Sequence, residues 1–196
     1  MNRRDVIRAG TALAAMVAAP RAFALNDAQA AALVNRVVAE INGIINSGRS
    51  ESAMLGQFEQ VFRRYADVPN VARATLGPDA RSASQSQLNA FSEAFAVYLS
   101  RKYGRRFREF IGGEIQVIGA KQVKRWHEVE TVAKLPGQAP FSVVFRVSDR
   151  SGRDLFFDIV IEGISLVRTE QTEIGAILDK NRGSIDGMIQ DLRRRS

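Results

Sequence analysis

Four side chains in this sequence carry the chemistry to act on a substrate, and none is accompanied by the partners it would need. His127 is the only histidine, so a general base or an imidazole metal site has a single candidate. Glu128 beside it cannot serve it on an alternating strand, where neighbouring side chains point to opposite faces. His127 therefore reads as a structural or an exposed residue. Ser165 lies in Gly163-Ile164-Ser165-Leu166-Val167, which lacks the second glycine of a nucleophile elbow, and reads as a capping or turn serine. Asp158 and Glu162 stand four apart on a strand and can share a face as an acid–base pair, although such carboxylates more commonly solvate the open side of a sheet. There is no cysteine, which excludes thiol catalysis, disulfides, cysteine-ligated zinc and iron–sulfur clusters. No glycine-rich phosphate loop occurs, and Gly112-Gly113 marks only a break between helix and strand. The expectation is a protein without catalytic residues, metal or other cofactor.

The elements that position these residues begin after a leader. The chain has 196 residues with 45% hydrophobic and 25% charged side chains, suited to one globular domain. Asn2-Arg3-Arg4-Asp5-Val6-Ile7-Arg8 is a basic start, Ala9 to Ala19 an apolar run of small residues, and Ala22-Phe23-Ala24 an A-x-A cleavage site. This is the layout of an export signal over 1–24, with paired arginines resembling a twin-arginine signal. The remaining 25–196 form one domain. The formal charge falls from +7 to +4 when the leader's four arginines and one aspartate are removed. Export removes nucleic acid from the natural partners.

Val34, Val37, Ile41, Ile44 and Ile45 keep helical spacing over about Asp27 to Asn46, and Leu55, Phe58, Phe62 and Tyr65 mark a second helix. Asp67 to Leu76 predicts a short helix with Pro69 in its first turn. A capping box at Ser84 to Gln87 opens a long stripe of Leu88, Phe91, Phe95, Leu99 and Tyr103. From Glu114 the period changes to two. Ile115 and Val117 begin one strand, Lys121 to Lys134 fits a second, and Phe141 to Ser148 and Leu155 to Ile161 alternate cleanly. Helices return after Ser165. The fold class is α+β: an antiparallel meander of about four strands, apolar on one face, covered by helices from both ends of the chain.

Four segments resemble the MlaC family of periplasmic phospholipid-binding proteins, also called toluene-tolerance proteins. They are Tyr65-Ala66-Asp67-Val68-Pro69-Asn70-Val71-Ala72-Arg73-Ala74-Thr75-Leu76-Gly77-Pro78, the helix carrying Gln87, Phe91, Phe95 and Leu99, the block Phe157-Asp158-Ile159-Val160-Ile161-Glu162-Gly163-Ile164-Ser165-Leu166, and Ile185-Asp186-Gly187-Met188-Ile189 with Leu192. The chain departs from the family at Ala66, at Asp79-Ala80 and at Gln171 and Ile174, where aromatics or an arginine are common.

The resemblance implies a curved sheet of NTF2-like character with acyl chains held between sheet and helices. On that implication Val143, Phe145, Val147, Phe157, Ile159 and Ile161 face Phe91, Phe95, Leu99 and Phe107 across a lipid cavity. It further implies a periplasmic carrier with phospholipid as its transported ligand. Its partners would be an inner-membrane ABC transporter with an MCE-domain protein and an outer-membrane lipoprotein complex. Arg101, Arg105 and Arg106 are candidate docking residues. Two other readings fit the same stripes: an adaptor with a solid core and no lipid, and a small enzyme acting through Asp158 or His127.

Overall fold

The computed structural model describes residues 25–195, with the side chains of 106–108 outside that description. The export-signal reading of 1–24 therefore lies outside the described residues. Helices α1 (Asp27–Ile45), α2 (Glu51–Tyr65), α3 (Val68–Leu76) and α4 (Gln85–Gly104) precede the sheet, and α5 (Leu166–Lys180) and α6 (Ile185–Arg195) follow it. Single 3-10 segments occupy Gly77–Arg81 and Arg105–Phe110.

Local chemistry sets these boundaries. Asn26 caps α1 reciprocally with Gln29, each side chain taking the other's backbone N–H at 2.9 and 3.0 Å. Ser84 and Gln87 do the same for α4 at 3.2 and 3.0 Å, which satisfies two donors that a helix start otherwise leaves open. Gly104 ends α4 where the chain passes against α2. A Cβ there would come within 2.3 Å of the Leu55 Cδ2 methyl, so a larger residue would make the Leu55 side chain shift.

Strands β1 (Glu114–Val123), β2 (Trp126–Lys134), β3 (Phe141–Ser148), β4 (Leu155–Ile161) and β5 (Ile164–Ser165) pair antiparallel in chain order. The structure thus has one strand more than expected, a fifth too short to show alternation. Lys121 to Val123 belong to β1 rather than to the second strand. The chain reverses at Lys124-Arg125 with Lys124 at φ 57°, a tight turn without the Asn or Gly that usually announces one.

Register places Val129, Phe145 and Ile159 side by side across three strands, and Thr131, Val143 and Ile161 beside them. A bulge follows. Arg146 pairs with Asp158 but Val147 pairs with Phe156, so Phe157 is an extra residue in β4 and the strand bends there.

Two hydrophobic cores result. One packs α1 and α2 on the sheet, through Val34, Val37, Phe58, Val129, Phe145, Val147 and Phe156. The other joins the helices α3 to α6, through Val71, Phe91, Phe95, Ile174, Ile177, Met188 and Leu192, with Phe157 of β4 packed against it. Phe62 of α2 touches both. Among the described residues no helix is long and apolar enough to cross a membrane.

Candidate functional site: an apolar cavity between two cores

Where the cores meet they do not close. A cavity of about 560 Å³ lies between them, within the roughly 300–1,000 Å³ usual for ligand sites. Val37 and Ile41 of α1, Phe58, Val61 and Phe62 of α2, Phe95 and Leu99 of α4, and Val143, Phe145, Phe156, Ile159 and Ile161 of the sheet form its walls. The lining residues that are also exposed, Glu109, Gln138, Glu162, Thr169 and Ile164, mark its open side. Ile164, at 64% exposure, leaves an isoleucine at that edge. Walls of Val, Ile, Leu and Phe favour a long hydrocarbon occupant by removing it from water, at about 0.8 kcal/mol per methylene.

Of the residues expected on this face, Phe95, Leu99, Val143, Phe145, Phe157, Ile159 and Ile161 line the cavity. Phe91 and Val147 do not. Phe91 lies one turn before Phe95, its ring 5.4 Å from that of Phe95 and wholly inside the helical core. Val147 stands beyond the bulge, fully buried in the sheet-side core with Phe156 as its cross-strand neighbour. Phe107 and Arg106 are outside the described side chains, and Arg101 and Arg105 are exposed. The contributions of α1, α2 and α3, from Val37 to Thr75, were not singled out from sequence. Their only signal there is an apolar stripe like that of any buried helix.

The residues weighed as catalytic all make hydrogen bonds within the fold. Asp158 is 6% exposed, not on an open face: it accepts from the Val167 N–H at 3.1 Å, from Ser165 Oγ at 2.7 Å and from Arg146 at 3.1 Å. The turn after β4 returns the start of α5 onto it, and a carboxylate at a helix N-terminus is stabilised there. Glu162 accepts from the Ser142 N–H. Ser165 caps α5 through the Arg168 N–H at 3.3 Å. His127, 5% exposed, is bonded through both ring nitrogens, to Asp27 and to the Leu25 carbonyl.

One polar cluster borders the cavity. Lys102 Nζ reaches Glu170 Oε1 at 2.6 Å and also binds Glu173, while Tyr103 donates to Glu170 and Tyr98 to Glu173. This clamp ties α4 to α5. Glu170 is 1% exposed, and its Oε2 is buried without a hydrogen-bond partner. Burial alone would raise Glu173, but hydrogen bonds from Lys102 and Tyr98 and the Lys102 charge outweigh it and hold the carboxyl below its ordinary range. Burial alone would lower Lys102, yet the hydrogen bonds and charges of Glu170 and Glu173 raise it. Tyr98 is raised by burial and by its bond to Glu173.

The signs define a window. The Glu173 contribution is present above about pH 4.3 and is lost as pH falls through its depressed value. Those of Lys102 and Tyr98 are complete below about pH 10 and are lost as pH rises toward their raised values. The contribution of these three groups to the thermal midpoint should therefore be constant from about pH 5 to 9 and fall on both sides. Glu173→Gln should remove part of the acid limb, and an unchanged limb would place the acid sensitivity elsewhere.

Comparison with known proteins adds two findings. The family described as MlaC protein matches residues 33–194. A solved structure of a phospholipid-binding protein from Ralstonia solanacearum, in complex with a phospholipid, superposes with a TM-score of 0.71 at 20% identity, covering 85% of this chain and 96% of that one. At that identity the likeness shows the shared α+β fold.

Proposed function

The chain belongs to the MlaC family, and from that premise we propose that it is a periplasmic phospholipid carrier whose cavity holds acyl chains. The observation that carries this reading is the apolar cavity of about 560 Å³ between sheet and helices, in a fold whose neighbour from Ralstonia solanacearum is described with a bound phospholipid. An adaptor with a solid core would have those side chains interdigitated at interior density. The carrier makes and breaks no bonds and uses no cofactor, so it is not an enzyme; its ligand is its cargo.

A diacyl lipid carries roughly 30 methylenes, worth about 0.8 kcal/mol each, so escape into water is opposed by more than about 20 kcal/mol. Transfer into an apolar acceptor keeps the hydrocarbon dry throughout. Delivery therefore belongs to docked complexes, an outer-membrane lipoprotein complex on one side and an inner-membrane ABC transporter with an MCE-domain protein on the other. Arg101 and Arg105, exposed beside the cavity-lining Tyr103 and Gly104, and Arg106 are the candidate contacts. Native mass spectrometry of protein purified gently from a Gram-negative envelope should show near one phospholipid per chain. Lipid-free protein after that treatment would favour the adaptor.

A further inference from the structure

The motif Ala22-Phe23-Ala24 predicts Leu25 as the first residue of the processed chain. The fold seats Leu25 at three points. Its side chain is 8% exposed and packs in the sheet-side core. Its N–H donates to Asp149 Oδ2 at 3.1 Å, and its carbonyl accepts from His127 Nε2 at 2.9 Å. Beyond it, Asp27 Oδ1 meets His127 Nδ1 at 2.6 Å. Asn26 between them caps α1. The contacts of Leu25 reach residues 102 and 124 positions away.

The partner of the Leu25 nitrogen is the informative detail. Backbone N–H groups within folded chains are mostly matched by backbone carbonyls, whereas this one, like those of Ser142 and Val167, faces a carboxylate, and of the three it alone stands at the expected start of the processed chain. We infer that the turn after β3 is a binding site for an α-ammonium, that of Leu25 itself, set free when a leader peptidase hydrolyses the Ala24–Leu25 bond. Water supplies a hydroxyl to the Ala24 carbonyl carbon and a hydrogen to the Leu25 nitrogen as the C–N bond breaks. The proton of the new acid then passes to the amine, leaving a carboxylate on the leader and an ammonium on the chain. The neutral donor on Asp149 thereby becomes half of an ion pair with charge-assisted hydrogen bonds. A seated Leu25 is buried, so the peptidase must reach the bond before the segment docks. Seating follows cleavage.

This rests on the export reading, and the test separates the two. The full chain is expressed in a Gram-negative host and the envelope protein is analysed by intact mass and N-terminal sequencing; Leu25 is the expected first residue. A processed chain that starts elsewhere overturns the inference alone, and an intact 196-residue chain overturns both readings. The α-amine of the processed protein is then labelled with an amine-selective ester near pH 7. A neighbouring carboxylate shifts an amine by about one pKa unit or more. The Leu25 amine should therefore react about tenfold more slowly than that of a free Leu-Asn-Asp peptide, and Asp149→Asn should restore most of the rate. Equal rates for protein and peptide overturn the proposal, a comparison that needs no folded variant.

Discussion

Replacing Ile161 by glutamate is expected to empty the cavity of lipid while leaving the chain folded. Ile161 lines the cavity beside its cross-strand neighbour Val143, next to the exposed Glu162 of the open side. A carboxylate there is set against acyl chains in the loaded carrier but can meet water in the empty one. If the penalty in the loaded state is about 4 kcal/mol, affinity falls on the order of a thousandfold. A competing bilayer keeps the hydrocarbon dry and leaves little net driving force for the carrier. In that competition the variant should give up its lipid and mass spectrometry should find it empty, while circular dichroism and the thermal midpoint stay near those of the parent. Gln116→Glu, on an exposed stretch of β1, should keep its lipid. Full lipid occupancy in a folded Ile161→Glu protein would move the binding site off this wall.

The largest loss of stability is expected from Lys102→Met. The stem is retained and the ammonium removed, which leaves the Glu170 carboxylate, 1% exposed, with the Tyr103 hydroxyl as its remaining partner among those described. Breaking a buried pair from one side costs about 3–5 kcal/mol because the surviving charge is uncompensated. The partial exposure of Lys102 puts the expected value at about 3 kcal/mol. Urea unfolding measures it directly. Glu170→Gln added to Lys102→Met should recover much of the loss, since it removes the stranded charge. Without such recovery, the cost would lie in packing of the lysine stem instead.

The helical architecture was legible because helix starts and stripes are local. Ser84 and Gln87 announce α4, and the four-residue steps from Phe91 to Leu99 give its buried face. The same locality hides the cavity, since Phe91 and Phe95 occupy one stripe and only the opposing elements decide which of them meets empty space. Asp158 was misplaced for a related reason. Counting along β4 puts it on an open face, but the turn at Glu162-Gly163 brings Ser165 and Val167 back onto it. The reversal at Lys124-Arg125 lacked its usual residues. His127 and Leu25 meet across 102 positions, a pairing that no periodicity encodes.

The division into two cores also bears on how the empty protein survives. A void of 560 Å³ inside one close-packed core would cost on the order of 13 kcal/mol at about 24 cal/mol per Å³, comparable to the whole stability of a typical domain. Here each core is already complete on its own side, and the gap is the space left where two finished packings meet.

That arrangement gives evolution a place to work. A substitution within either core changes a jigsaw, whereas one on the wall, at the partly buried Ile159 or Ile161, alters the volume offered to cargo with less disturbance to either packing. Descendants of such a fold are free to drift at the wall and be tested on what they carry.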